Sequence, residues 1–275
     1  MDLHLNDKLV LITGGSKGLG LAAARVLLGE GARVAIVSRS ADNIATAIAT
    51  LAAEGLAAKG YVANLSDAAN AEQVVAQVEA ELGPIDVLVN SAGDARRKPA
   101  GELDAAAWKA AMDAKFYPYV HTQEAVLKRM HARAVTAGFD GKSTPTRDVG
   151  TVVNIVGTGG RIPTETHIAG STANAALLLS TLGLAKYYAR FGIRINAVNP
   201  GVTLTDRVEY TLKAEAQRLG VTRDEAQARA EASAPMLRLG RADEIADVVA
   251  FVASARSSYM VGALVQVDGG QKIAL

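Results

Sequence analysis

The chain has 275 residues, with 29 basic and 28 acidic side chains and a formal net charge of +1, so no overall attraction draws it to nucleic acid or an anionic membrane. Apolar residues make up 49% and charged residues 21%, the balance of an ordered globular protein, and the length suits a single α/β domain. Cysteine is absent, which excludes a disulfide framework, a thiolate metal site and a cysteine nucleophile, and fits a reducing, cytoplasmic setting.

Met1 to Val10 carries charged and polar groups where a secretory signal needs an apolar core. No run of about 18 uncharged apolar residues predicts a spanning helix. The first β-branched run, Leu9 to Thr13, predicts a strand. Thr13-Gly14-Gly15-Ser16-Lys17-Gly18-Leu19-Gly20 follows and opens a helical pattern over Gly18 to Glu30. Glycines at 14, 18 and 20 allow a tight turn and a close approach to a pyrophosphate, which the helix N-terminus then binds. The strand before and the helix after are the context that makes a glycine-rich loop informative.

A second strand, Arg33 to Ser38, leads to a helix over Ala41 to Glu54. A carboxylate about 20 residues beyond the glycines would bind the ribose hydroxyl of NAD. None stands at this strand end. Arg39 follows Ser38, and Lys17 lies in the loop, so two cations favour a 2′-phosphate. The sequence therefore points to NADP(H), with NAD(H) as the lesser option. Strands at Ala58 to Ala63 and Ile85 to Asn90 flank a helix over Asp67 to Leu82. A long helical pattern runs from Asp104 to about Ala137, and Gly138 to Gly150 reads as a surface loop. Thr151 to Val156, a helix from about Gly170 to Phe191, and Ile193 to Val198 continue the alternation. Thr203 to Gly240 is charged, helical and too long for a bare connector. Leaving the carboxyl end of a strand, it reads as a flap over a ligand. A helix over Ala242 to Ala255 and a strand over Ala263 to Val267 complete the chain. The pattern predicts a doubly wound, Rossmann-type α/β domain over 1–275, with a seven-stranded parallel sheet and helices on both faces.

Several of these segments resemble motifs of the short-chain dehydrogenase/reductase family, in the order that family shows. The glycine loop is similar to its T-G-x-x-x-G-x-G. Asn64-Leu65-Ser66 resembles its adenine-contacting turn, with Asn in place of Asp. Asn90-Ser91-Ala92-Gly93 resembles its N-N-A-G. Arg194-Ile195-Asn196-Ala197-Val198-Asn199-Pro200-Gly201 and Val267-Asp268-Gly269-Gly270 are similar to its later signatures. The resemblance implies an oxidoreductase acting on a small carbonyl or alcohol and assembling as a homo-oligomer, a tetramer or dimer. It implies cofactor contacts at Gly14, Ser16, Lys17, Gly18, Leu19, Gly20, Ser38, Arg39, Asn64, Leu65, Asn90, Ala92, Gly93, Asn174, Pro200 and Gly201. Thr203 and Thr205 would reach the nicotinamide carboxamide.

The family's Asn, Ser, Tyr and Lys positions fall on Lys115, Gly157, Gly170 and Asn174. Either the chemistry is redistributed or the protein is a catalytically inactive NADP(H)-binding sensor or interaction partner. For redistribution, Lys115 supplies positive charge near a developing alkoxide. His167 offers an imidazole titrating near physiological pH, Thr158 a hydroxyl, and Asn174 a contact to the nicotinamide ribose. No His/carboxylate cluster at ligand spacing implies a metal. The apolar stripe Leu177, Leu178, Thr181, Leu182 and Ala185 fits either an oligomer contact or packing on the sheet.

Overall fold

The computed structural model describes residues 1–93 and 97–271. The stretches 94–96 and 272–275 of the expected one-domain span lie outside the described residues. The first half alternates β1 (Leu9–Thr13), α1 (Gly18–Gly29), β2 (Arg33–Ser38), α2 (Ala41–Ala53), β3 (Ala58–Val62), α3 (Ala68–Leu82) and β4 (Val87–Asn90). Then come α4 (Ala105–Ala111), a π-helical turn (Met112–Phe116), α5 (Tyr117–Thr136), β5 (Gly150–Ile155), α6 (Ile168–Tyr188) and β6 (Ile193–Pro200). The remainder is β7 (Thr203–Leu204), α7 (Asp206–Leu219), α8 (Arg223–Ala232), β8 (Gly240–Arg241), α9 (Ala242–Ala253) and β9 (Leu264–Val267).

Seven strands pair in the order β3-β2-β1-β4-β5-β6-β9, all parallel. Strand order reverses direction between β1 and β4, which opens a crevice beyond their carboxyl ends. Both faces of the sheet are covered. Val10, Ile12, Val34 and Ile36 meet Ala23 and Leu27 of α1 and Val249 of α9 on one side. Leu9, Leu11, Leu88 and Val152 meet Val75 and Val78 of α3 and Val126 and Met130 of α5 on the other. Each fully buried Leu or Val contributes about 1.5–3 kcal/mol of transfer free energy, which is why these strands read as unbroken apolar runs.

Turn chemistry sets the boundaries. Ser40, Asp67 and Asp104 sit at N-caps and accept from backbone N–H groups three residues on. Gly192 ends the α6 region in the left-handed conformation.

Two polar networks lock the strand ends. Asn90 Nδ2 donates to Asn154 Oδ1 (3.0 Å), and Asn154 Nδ2 donates to Gln123 Oε1 (3.0 Å) and Thr181 Oγ1 (2.9 Å). This joins β4, β5, α5 and α6. The buried Arg194 guanidinium donates to Asp148 Oδ2 (3.2 Å), Thr151 Oγ1 (2.9 Å), Ser257 Oγ (2.8 Å) and the Ser254 carbonyl (2.9 Å). Burial pushes its pKa down and the Asp148 carboxylate acts against that.

The helix expected from Asp104 to Ala137 is interrupted: one wider turn at 112–116 separates α4 from α5. On α6, Leu177, Leu178, Thr181 and Ala185 pack inward, while Leu182 is exposed. The stripe is thus mostly a sheet-packing face. The segment Ile168–Phe191 is also long and apolar enough to span a bilayer, which composition alone had not suggested, but half of it is buried inside this fold. Its apolarity is accounted for by contact with β6 and the core.

Candidate active site

A cavity of about 1570 Å³ opens beyond the carboxyl ends of β1, β4, β5 and β6. Gly14, Lys17, Gly18 and Leu19 line its floor, Gly157, Thr158, His167 and Asn174 one wall, and Pro200, Gly201, Thr203 and Thr205 another. Residues of α7 and α8 line it opposite the sheet.

The glycine loop is a close-packed cradle. A Cβ at Gly20 would stand 2.3 Å from the Gly14 carbonyl oxygen, and one at Gly14 would stand 2.8 Å from Ala92 N. Thr13 Oγ1 receives the N–H groups of Ser91 (3.1 Å) and Ala92 (3.2 Å), which ties β1 to the turn after β4. Lys17 occupies the N-cap of α1 without a side-chain cap, and the first turn holds no acidic residue. The N-terminal N–H groups of α1 therefore remain for an anion at the cavity floor. These residues fit a dinucleotide pyrophosphate.

Other expected cofactor positions are spread more widely. Ser16, Gly20 and Asn90 are buried, and the Asn90 side chain is taken up by the Asn154 network. Asn64 Oδ1 accepts from Ser66 N (3.3 Å) and Ser66 Oγ (2.8 Å), forming a local turn. Leu65 belongs to the core. Ser38, Asn64, Leu65 and Ala92 line neither cavity described here. Arg39 lines a second cavity of about 550 Å³, shared with Arg97, Lys98 and His167. Lys17 and Arg39 thus face different cavities. Thr203 Oγ1 donates to the Gly201 carbonyl (3.1 Å), and Thr205 is the α7 N-cap but makes no side-chain cap bond.

Lys115 is the most perturbed group in the cavity wall. It sits in the π-helical turn, only 8% exposed. Its Nζ donates to Tyr119 Oη (2.7 Å) and to the Ile155 carbonyl (3.0 Å), and Tyr119 Oη donates to the same carbonyl (2.5 Å). A Cβ at Gly93 would lie 2.5 Å from Lys115 Cδ, so the missing side chain at 93 is what admits the lysine. Burial, reinforced by the charge of Arg207, lowers the ammonium pKa to about 7. Burial pushes the Tyr119 hydroxyl up. Tyr119 was not singled out from sequence; its spacing of four residues from Lys115 was the available signal.

His167 stands at the N-cap of α6 with a buried Nδ1 that has no hydrogen-bond partner. Burial, with the charges of Arg97, Arg207 and Lys115, lowers its pKa to about 4. The imidazole is therefore neutral at physiological pH, contrary to the expectation that it titrates there. Ser171 Oγ and Asn199 Nδ2 are likewise buried without partners. A buried polar atom without a partner is costly, and the two of these on residues that line the cavity, His167 Nδ1 and Ser171 Oγ, mark a place built for a ligand or water. Asn174 is buried and points its Nδ2 toward Gly157, 3.4 Å from where a Cβ would stand. Among the described residues, no group of three His, Cys, Asp or Glu is placed to hold a metal ion.

A family model described as short chain dehydrogenase matches residues 8–216. The chain is 32% identical over 271 residues to 2-(S)-hydroxypropyl-CoM dehydrogenase 3 of Xanthobacter autotrophicus, covering 98% of each. It is 32% identical over 273 residues to the 3-oxoacyl-[acyl-carrier-protein] reductase FabG of Escherichia coli, again covering 98% of each. Among solved structures it resembles an actinorhodin polyketide ketoreductase variant with NADPH, with a TM-score of 0.88 at 28% identity over 96% of this chain and 97% of that one. It also resembles L-sorbose reductase from Gluconobacter frateurii complexed with NADPH and L-sorbose, with a TM-score of 0.89 at 26% identity over the whole of both chains.

Proposed function

The chain belongs to the short-chain dehydrogenase family, and from that premise we propose that it is an NADP(H)-dependent oxidoreductase of a small carbonyl or alcohol with a non-standard catalytic set, in which Lys115 is the general acid and neutral His167 a hydrogen-bonding partner of the substrate. The observation that carries this reading is the Lys115 ammonium, held at the cavity wall with its pKa lowered to about 7. A donor of that pKa loses and regains its proton readily at neutral pH, which is the requirement for general acid catalysis.

The bound nicotinamide supplies or accepts the hydride. In the reducing direction Lys115 Nζ gives a proton to the developing alkoxide and is reprotonated from cavity water. Tyr119 Oη and the Ile155 carbonyl hold the amine in place at 2.7 and 3.0 Å. Neutral His167 orients the carbonyl by hydrogen bonding, and Thr158 adds a hydroxyl beside it. Asn174 holds the nicotinamide ribose. Gly14, Gly18 and Leu19 cradle the pyrophosphate, Lys17 and Arg39 face the 2′-phosphate, and Thr203 and Thr205 take the carboxamide. Two solved relatives that carry NADPH support the choice of cofactor.

We read the chain as one domain whose 203–240 segment covers the substrate, working in the cytoplasm. The exposed Leu179 and Leu182 of α6 support a homo-oligomer, a tetramer or dimer. The test is transfer of deuterium from labelled NADPH to a ketone panel. Label on the carbinol carbon is the expected result. Cofactor binding with no label transferred to any ketone would leave a binding protein instead.

A further inference from the structure

We propose that Lys115 is a covalent capture site for small aldehydes, its Nζ forming a Schiff base with an aldehyde carbon in the main cavity. This does not rest on the hydride chemistry, since a chain that transfers no hydride would still make the bond. The bond needs a lone pair on Nζ, room for the incoming carbon, and surroundings that accept the product.

Nζ has four positions. Cε takes one, and two carry N–H groups donated to Tyr119 Oη (2.7 Å) and the Ile155 carbonyl (3.0 Å). The fourth has no hydrogen-bond partner among the described residues and is the one left for the cavity that Lys115 lines. On the ammonium it is a third N–H; on the free amine it is the lone pair. A buried ammonium with one N–H unpaired is penalised for its charge and again for that N–H. Burial accordingly lowers the pKa to about 7, with the charge of Arg207 adding to it, and His167 on the same wall is neutral in this range. Lysines desolvated in this way are the ones that attack carbonyl carbons. Lys109 of α4 and Lys128 of α5 are the contrast: both are exposed, and Asp113 and Glu124 hold their pKa up.

In the reaction the lone pair adds to the carbonyl carbon while the C=O π pair moves to oxygen, and one Nζ proton passes to that oxygen through water. The resulting hydroxyl takes a proton from water and leaves as water while nitrogen closes the C=N bond. One water is released, and nothing is oxidised or reduced. The product suits the same partners. The Ile155 carbonyl also receives the Tyr119 hydroxyl (2.5 Å), so it stays paired when Nζ gives up its N–H. A protonated Schiff base keeps one N–H, and Tyr119 Oη stands ready to accept it. An aldehyde carries a hydrogen where a ketone carries a second carbon, and a lysine only 8% exposed admits the slimmer group.

The experiment exposes the full chain to propanal for short times at pH 7 and pH 9, fixes any imine as a propyl amine with borohydride, and maps the label by peptide mass spectrometry. At pH 7 Lys115 should be labelled about tenfold or more faster than Lys109 and Lys128, because far more of it is free amine than of a lysine with the ordinary pKa near 10.4. That advantage should shrink about tenfold or more by pH 9, where Lys115 is already fully deprotonated and the exposed lysines are still gaining free amine. Lys115→Met should show no preferred site. Labelling of Lys115 no faster than of the exposed lysines at pH 7, a preference for a different lysine, or an advantage that does not shrink by pH 9 overturns the proposal. Deuterium transfer from labelled NADPH on the same preparation reads the oxidoreductase separately. Capture without hydride transfer keeps this site and removes that activity; hydride transfer without capture does the reverse.

Discussion

Lys115 Nζ lies 2.7 Å from Tyr119 Oη, one helical turn along the chain, and the two share the Ile155 carbonyl as acceptor. Among the described residues this lysine has lost its water and gained only neutral hydrogen-bond partners. Burial lowers its pKa, and the charge of Arg207 adds to that.

Lys115→Met should reduce the rate of carbonyl reduction by about 10²–10⁴-fold, the range for a general acid, while NADPH affinity stays close to that of the unaltered protein. In the unaltered protein the reduction rate should fall as pH rises through about 7, because the donor deprotonates there. A pH profile flat from 6 to 9, or full turnover in Lys115→Met, would remove the lysine from the chemistry.

The same side chain makes stability depend on pH. Below about 7 it is protonated in both folded and unfolded chains, and the buried charge counts fully against folding. Between about 7 and the unfolded value near 10.4 the unfolded chain holds the proton and the folded chain does not, so stability rises with pH. Lys115→Met should therefore raise the thermal midpoint at pH 6 by a few degrees, and the difference should shrink toward pH 10. Calorimetry at both pH values checks this.

His167 contributes in the opposite part of the range. Its folded pKa of about 4 lies below its ordinary value of 6.5, so as pH falls from about 6.5 to 4 the unfolded chain gains a proton that the folded chain refuses. Stability drops through that window. His167→Gln should flatten the drop, measured by urea denaturation at pH 4.5 and 7. Its effect on turnover should be a loss without a shift of the limb near pH 7, since that limb belongs to Lys115.

Gly20→Ala should weaken NADPH binding at least about tenfold and destabilise the fold by about 1–3 kcal/mol, as overpacking against rigid backbone does. The added methyl would stand 2.3 Å from the Gly14 carbonyl oxygen. Gly29→Ala, in the same helix with nothing within 4 Å of the new atom, should instead stabilise by about 0.5–1 kcal/mol. Fluorescence titration and chemical denaturation of the pair separate loop crowding from general helix effects.

Lys17→Ala should lower affinity for NADPH about tenfold, the loss of one charge-assisted contact, and leave NADH nearly unchanged. Arg39→Ala should act in the same direction. An equal loss for both cofactors would assign Lys17 to the pyrophosphate.

The sheet was legible because strands buried on both faces are apolar along most of their length, as Leu9 to Ile12 and Val87 to Val89 are, with polar Thr13 and Asn90 only at the carboxyl ends. The two helices of the 203–240 segment were legible as charged helical runs, whereas the two-residue pairing of β7 with β8 is too short to leave a pattern. The break in the long helix was not legible, since a single extra residue in one turn leaves the apolar period of the flanking helices unchanged. Nor was the burial of Lys115, because lysine on a helix is ordinarily solvated and the space it enters is made by Gly93, distant in sequence. The neutral state of His167 depends first on its burial and then on the charges of Arg97, Arg207 and Lys115, which only the folded chain brings near it.

The π-helical turn at Met112–Phe116 carries one residue more than an α turn would in the same span. Removing one residue there would wind the segment back to regular α geometry. The flanking helices would keep their phase while the side chains within the turn shift around the axis, and a different residue would meet Gly93. The identity of the group presented to the cavity is thus set by a count of residues as well as by their chemistry. A one-codon deletion could exchange it while leaving Lys115 in the chain.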